Sequence, residues 1–152
     1  MSRNVTVQSM DLGYQDAITA LLGIDGSGVE VGIFSEAGVY QNGRPVAQVA
    51  TDNEYGTEHI PARPFMGKTY ADNQDRFADT AGKVMGAAIS GRLTVDSALQ
   101  VIGVEQATAV KSSINDWTDP PNAPSTIKKK KKNDPLVDSR VMRDSVTFKK
   151  FR

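Results

Sequence analysis

Two long segments with helical periodicity stand next to each other in the middle of the chain, and they constrain its fold more than any other feature. In residues 66–89, apolar side chains recur at intervals of three, four or seven residues, which places them on one stripe of a helix of about six turns. A second helical pattern follows Thr94, a good N-cap residue, and continues to about Trp117. We expect two long amphipathic helices that pack against each other or against a sheet. The first stripe comprises Met66, Tyr70, Phe77, Ala81, Val84 and Ala88, and the second comprises Val95, Leu99, Ile102, Val110, Ile114 and Trp117.

Short alternating segments near the two ends of the chain predict a small sheet. Val29–Phe34 and Ser145–Phe151 alternate apolar and polar residues as half-buried strands do, and we expect them to pair antiparallel. Val5–Gln8 alternates weakly and is a further candidate strand, whereas Tyr14–Leu22 and Val46–Tyr55 have helical spacing. The sequence therefore predicts one α+β domain over residues 1–152. In it a small antiparallel sheet packs against two long amphipathic helices, with a long basic loop on the surface.

A stiff segment, NEYGTEHIPARPFM, precedes the first long helix. Its glycine permits a tight turn, and its two prolines fix their own φ angles and favour extended backbone at the residues before them. Arg63 lies between the prolines, and its planar guanidinium suits a carboxylate of the same chain or of a neighbour. We predict a rigid elbow that sets the direction of the long helix. Its residues are Gly56, His59, Pro61, Arg63 and Pro64.

The residues after the second long helix have a different character. Asp119–Pro135 is rich in proline and contains the run Lys128–Lys132, whose like charges repel one another. We expect an exposed, flexible loop without helix over about residues 118–135. We expect regular structure again after this loop, where Asp138 is a candidate cap for a short helical turn that ends at Arg143.

The charges of the chain are segregated although their sum is zero. Residues 1–110 hold seven basic and thirteen acidic side chains, a balance of −6, and residues 111–152 hold eleven basic and five acidic ones, a balance of +6. Such a division suits self-association, in which the basic end of one copy meets the acidic body of another; it also suits an anionic partner, or two simply solvated surfaces. The candidate contact residues for a subunit or for DNA are Lys128, Lys129, Lys130, Lys131, Lys132, Arg140 and Arg143. Their candidate acidic partners are Asp72, Asp75 and Asp79.

Three residues of the elbow region are of types that occur in active sites. Glu54, Glu58 and His59 are close in sequence and offer carboxylates and an imidazole. There is no second histidine, no cysteine, and neither an HExxH nor a GxSxG motif. GIDGSG resembles a phosphate loop but lacks the Lys-Ser/Thr ending. We predict no enzyme activity, metal or cofactor, and keep a hydrolase centred on His59 and Glu58 as a distant alternative.

A nucleic-acid-binding function is the nearer alternative. The Lys128–Lys132 run can contact phosphates, although no aromatic residue is interleaved with it for base stacking. A membrane function is not expected, because no apolar stretch approaches the roughly 18 residues of a membrane span. Met1–Asp11 lacks the apolar run of a signal peptide, so we expect synthesis in the cytoplasm and a soluble product.

Two motifs together resemble a known family. A short helix that ends in NEYGT, followed by HIPARPFM and a long amphipathic helix, is similar to small tail-component, tail-completion or virion-morphogenesis proteins of long-tailed bacteriophages. This group has a role related to that of the Z-type minor tail protein of lambda. The C-terminal PLVDSRVMRDSVTF is also similar, except that Ser139-Arg140 stands where the family has Thr-Gly, which implies a less tight turn. The resemblance covers roughly residues 46–148.

The resemblance implies a structural protein of the virion neck or the top of the tail, made in the host cytoplasm. Members of the group are thought to form rings, commonly sixfold, around the DNA channel. The partners that it implies are further copies of the chain, a head–tail adaptor, the tail tube and a tail terminator, with packaged double-stranded DNA inside the ring.

Overall fold

The computed structural model describes residues 14–151, and within this range the chain has the α+β architecture predicted from the sequence. The predicted strand Val5–Gln8 lies outside the described residues. The helices are α1 (Tyr14–Ile24), α2 (Val46–Tyr55), α3 (Phe65–Ile89), α4 (Val95–Asp116), α5 (Pro124–Lys130) and α6 (Val141–Asp144), and the strands are β1 (Gly28–Gly32) and β2 (Thr147–Phe151).

The two strands form an antiparallel sheet, as predicted. Val31 lies opposite Phe148 in the register, on the face that packs against α4. The aromatic ring of Phe148 lies directly over Gly103 of α4, where any Cβ atom would collide with it. The absence of a side chain at Gly103 therefore allows the sheet to approach the helix closely.

The two long helices are confirmed, and they pack along each other, while the sheet packs against α4. The side-chain oxygen of Thr94 accepts a hydrogen bond from the backbone N–H of Ser97 at 3.0 Å, so Thr94 is the N-cap of α4 as predicted. Gly91, with φ of 72°, turns the chain between the helices.

The predicted apolar stripe of α3 is wrong at one position. Tyr70 is 63% exposed, whereas Thr69 beside it is buried and satisfies its hydroxyl by donating to the carbonyl of Phe65 at 2.6 Å. The helix begins with Phe65, which is 1% exposed, and this residue and Phe77 fix the buried face. Residues four apart share a helix face, so Thr69 follows Phe65 inward and Tyr70 turns away by about 100°.

One hydrophobic core joins the middle of the chain to its C-terminal part. Phe65, Ile114, Val46 and Val146 are its largest fully buried side chains. The segment that follows the lysine run therefore belongs to the core. The buried cluster comprises Val46, Ala50, Phe65, Ala107, Val110, Ile114, Leu136, Met142 and Val146.

Two local predictions for the C-terminal part are wrong. The proline-rich segment is not free of helix, because α5 begins at Pro124. Proline is tolerated in the first helical turn, where its missing N–H has no intrahelical partner to lose. Asp138 does not cap the short helical turn either: α6 begins after Arg140, whose φ of 63° is left-handed, and Asp138 is exposed.

Candidate functional site

Glu54 joins the end of α2 to the start of α3. Its two carboxylate oxygens accept hydrogen bonds from the backbone N–H groups of Met66 and Gly67, at 2.8 and 2.9 Å. The first N–H groups of a helix have no intrahelical acceptor, and the positive end of the helix dipole favours a carboxylate there. Glu54 is therefore a long-range N-cap of α3. Sequence reasoning considered this residue only as an active-site carboxylate, because the capped groups are 12 and 13 residues away.

The turn at Gly56 closes the elbow against itself. Gly56 has φ of 76°, and a Cβ atom on it would lie 2.8 Å from the backbone nitrogen of Ala62. The hydroxyl of Thr57 accepts hydrogen bonds from the backbone N–H groups of His59 and Ile60 at 3.2 and 3.1 Å, and the N–H of Thr57 donates to the carbonyl of Ile60 at 2.8 Å. The side chain of His59 is exposed.

Arg63 lies at the centre of the elbow and is 5% exposed. Its Nε and Nη2 donate to the carbonyl oxygens of Pro120 and Pro121, both at 2.9 Å, and its Nη1 donates to the side-chain oxygen of Asn53 at 3.3 Å. The prediction that Arg63 pairs with a carboxylate of the same chain is wrong for residues 14–151, because its guanidinium binds main-chain carbonyls instead. Burial lowers the pKa of the Arg63 guanidinium, but an arginine remains charged at neutral pH.

The segment between Pro121 and the lysine run is held by further hydrogen bonds. The backbone N–H of Asn122 donates to the side chain of Asn133 at 3.0 Å. The ammonium of Lys130 donates to the carbonyl oxygens of Asp134 and Val137, at 3.0 and 2.7 Å. Lys130 is therefore engaged inside the segment, and its side chain is only 18% exposed.

The other four lysines of the run point into solvent. Lys128, Lys129, Lys131 and Lys132 are exposed, and the described part of the chain offers none of them an ion pair within 4.0 Å. We call these four residues the exposed lysines. The two arginines named with them differ. Arg140 is exposed, whereas Arg143 is partly buried and pairs with Asp144 at 2.7 Å.

The candidate acidic face on α3 is largely neutralised by its own helix. Asp72 pairs with Lys68 and Asp79 pairs with Lys83, both at 2.7 Å and one helical turn apart. The hydrogen bond that Lys83 donates to Asp79 raises the pKa of Lys83. Asp75 is exposed, and no ion pair within residues 14–151 involves it.

Two basic residues near the C-terminus form ion pairs with acidic residues of the N-terminal part of the same chain. Lys149 pairs with Glu36 and Lys150 pairs with Asp96, each at 2.8 Å, so two cations of the basic end already meet the acidic body. The hydrogen bond from Lys149 lowers the pKa of Glu36 below its ordinary value of 4.5. The ammonium of Lys149 also lies 4.1 Å from the centre of the Phe34 ring.

A groove of roughly 720 Å³, lined mostly by residues with polar or charged side chains, runs between α3 and α4 and ends just beyond the C-terminus of α4. Lys68–Asp72 and Arg76–Glu105 are ion pairs along it, at 2.7 and 3.5 Å. Trp117 lines its end, and the indole Nε1 is buried without a hydrogen-bond partner among the described residues. The lining comprises Lys68, Thr69, Asp72, Asn73, Arg76, Glu105, Thr108, Ala109, Ser112, Ser113, Asp116, Trp117, Thr118 and Asp119.

The residues considered for catalysis do not converge on this groove. Glu54 caps α3, and Glu58 and His59 are exposed on the elbow. Over residues 14–151, no group of three or more His, Cys, Asp or Glu side chains is arranged to hold a metal ion. No helix in the same range is long and apolar enough to cross a membrane.

No family model, curated protein or solved structure matches this chain. The function implied by its sequence motifs is therefore a proposal.

Proposed function

We propose that the chain is a structural protein of a tailed bacteriophage, a ring-forming component of the neck that completes the tail and joins it to the head around the DNA channel. The proposal begins from the two sequence motifs that resemble phage tail-completion proteins. One observation carries it further: three polar side chains of the first motif join parts of the scaffold. Glu54 fixes α3, Thr57 closes the turn, and Arg63 holds the chain beyond α4.

An elbow of this kind suits a part that must keep its shape between neighbours. Arg63 is buried and binds the carbonyls of Pro120 and Pro121, which are 57 and 58 positions further along the chain, so it ties the start of α3 to the segment that precedes the lysine run. A ring subunit needs two different, complementary surfaces held at a fixed angle, because a heterologous contact closes into a ring only if the rotation is constant. The elbow supplies that fixed angle.

The surface offers charge for such contacts. The exposed lysines have no ion pair in the described part of their own chain. On the acidic face of α3, by contrast, Asp72 and Asp79 are each paired with a lysine of the same helix. Ring formation through these charges should weaken as salt screens them. In this proposal the chain acts through complementary shape and charge and carries out no bond chemistry.

A genetic experiment tests the proposed function. A phage with a nonsense codon in this gene should accumulate filled heads and separate tails in a non-suppressing host, because the joint between them is missing. Expression of the chain from a plasmid should restore joined, infectious particles. Normal yields of infectious phage without the chain would refute the proposal.

Nucleic-acid binding is the second candidate, and the exposure of four lysines favours it. Because Lys130 is bound within the segment, at most four of the five lysines are available for phosphates. The slope of log K against log salt should then not exceed about 3.6 in magnitude for duplex DNA, at about 0.9 per phosphate contact. A larger slope would require cations outside the run.

A further inference from the structure

The C-terminal end of α4 concentrates negative charge. The last four carbonyl groups of a helix have no intrahelical partner, and together they carry about half a negative charge. Basic residues commonly offset this charge, but the last turn of α4 has none. It has Asp116 instead, and Asp119 follows three residues later. Within residues 14–151, neither carboxylate takes part in an ion pair, and Asp116 accepts only a hydrogen bond from the side chain of Asn115 at 3.2 Å.

The groove between α3 and α4 leads to this point. Its other charges cancel in pairs, because Lys68 is bound to Asp72 and Arg76 to Glu105. Asp116 and Asp119 are therefore the uncompensated charges of the lining, and we call them the acidic end of the groove. Trp117 lies between them in sequence, and its indole ring lines the same end. A cation is favoured near such carboxylates, and an aromatic ring adds to that attraction.

The exposed lysines are the matching surface. They begin nine residues after Asp119 in the sequence, yet none is within 4.0 Å of either carboxylate in the same chain. The hydrogen bonds of Arg63, Asn122 and Lys130 hold the intervening segment in place. Within residues 14–151, one chain thus presents two surfaces of opposite sign that form no ion pair with each other.

We propose that the exposed lysines of one copy dock at the acidic end of the groove of a second copy. This inference rests on the proposed self-assembly and specifies its contact. It replaces the acidic face on α3 as the principal partner, because Asp72 and Asp79 are already paired on their own helix. Each copy uses its lysines on one side and its groove on the other, so the contact is heterologous and can repeat around a ring.

Charge reversal tests the contact. One variant carries Lys128→Glu, Lys129→Glu, Lys131→Glu and Lys132→Glu and leaves the internally bound Lys130 unchanged. The other carries Asp116→Lys and Asp119→Lys. Sedimentation at low salt should show that each variant alone self-associates at least about tenfold more weakly than the natural chain, because like charges now face each other. An equal mixture of the two should associate again, and so should one chain that carries both sets.

A matched control separates this contact from net charge. Asp25→Lys with Glu58→Lys changes the net charge as much as the groove variant does, at two exposed residues that do not line the groove. Its self-association should equal that of the natural chain. Circular dichroism establishes that each variant is folded. If the four glutamates prevent folding, glutamine at the same positions gives the same loss of association.

The single tryptophan provides a second measurement, because Trp117 lines the acidic end. A synthetic peptide with the sequence of residues 126–134 should change the tryptophan fluorescence of the full chain saturably at low salt. The Asp116→Lys, Asp119→Lys variant should bind this peptide at least about tenfold more weakly.

Three results would overturn the docking. The first is a natural chain that neither self-associates nor responds to the peptide at low salt, and the second is unchanged association in both charge-reversal variants. The third is a control variant that is as impaired as the groove variant. The proposed neck function fails by a different observation, namely infectious particles formed without the chain.

Discussion

Replacement of Arg63 by alanine tests whether the elbow holds the C-terminal part of the domain. The substitution removes two hydrogen bonds of 2.9 Å from a charged donor to the carbonyls of Pro120 and Pro121, and a longer one of 3.3 Å to Asn53. Hydrogen bonds from charged groups contribute about 1.5–3 kcal/mol each, so the two short ones amount to about 3–6 kcal/mol.

Part of this loss is offset. Burying the guanidinium costs free energy that the alanine variant no longer bears. Pro121 is exposed and Pro120 partly so, and their carbonyls can therefore bind water once the arginine is gone. We expect a net decrease of about 2–4 kcal/mol in the free energy of unfolding, which corresponds to a melting temperature lower by roughly 5–15 °C.

Urea denaturation followed by circular dichroism measures this change. Arg44→Ala is the matched control, because the side chain of Arg44 is 49% exposed and makes a surface ion pair with Asp52 at 2.7 Å. Its loss should cost about 0–1 kcal/mol. Arg63→Lys should not restore the lost stability, because an ammonium lacks the planar fork of three nitrogens with which Arg63 reaches Pro120, Pro121 and Asn53 together.

A second assay tests whether the hydrogen bonds of Arg63 hold residues 120–121 in place. Trypsin cleaves after lysine, and release of residues 120–121 should make it cut the Lys128–Lys132 run of the Arg63→Ala variant faster than that of the natural chain. The reasoning is refuted if Arg63→Ala is no more destabilising than Arg44→Ala and trypsin cuts both variants at the same rate.

Three other substitutions and one titration give independent checks. Glu54→Ala should lower the free energy of unfolding by about 1–2 kcal/mol, measured in urea, because two N–H groups at the start of α3 lose their acceptor; an unchanged value would exclude the long-range cap. Gly103→Ala should destabilise by about 1–3 kcal/mol because its methyl group meets the aromatic ring of the sheet. Gly82→Ala, on α3 with open space around it, should stabilise by about 0.5–1 kcal/mol; equal effects at both glycines would contradict the close packing. The pKa of Glu36, followed by NMR, should lie below 4.5 in the natural chain and rise toward that value in Lys149→Met. Because the folded-state pKa is lowered, the stabilisation from this pair is present at neutral pH and is lost as the pH falls below 4.5 through the folded-state pKa; a midpoint that is the same in both proteins would contradict it.

The sequence predicted those elements whose pattern repeats along the chain. The periodicity of residues 66–89 and the N-cap at Thr94 gave the two long helices, and alternation gave both strands of the sheet. The predicted stripe of α3 holds at Phe77 and Ala88, and it is wrong at Tyr70. Packing at the start of the helix is anchored by Phe65, so the residue four positions later, Thr69, is buried, and Tyr70 points about 100° away from it.

Contacts between distant residues were not visible in the sequence. Arg63 donates hydrogen bonds to Pro120 and Pro121, which lie 57 and 58 positions further along the chain. No local pattern indicates which carbonyls a buried guanidinium will bind. Charge alone favours a carboxylate as the partner of Arg63. In the same way, the sequence presents Lys128–Lys132 as five equivalent cations. Only the fold distinguishes Lys130, which binds two carbonyls, from its four exposed neighbours.

Electron cryo-microscopy of the neck of purified virions tests the central proposal most directly. We predict a closed ring of identical subunits at the joint between head and tail, in which the paired α3 and α4 helices of this chain can be traced and the exposed lysines of each copy face the groove of the next. A neck whose density is fully explained by other proteins, in particles from which mass spectrometry cannot recover this polypeptide, would contradict the proposed function.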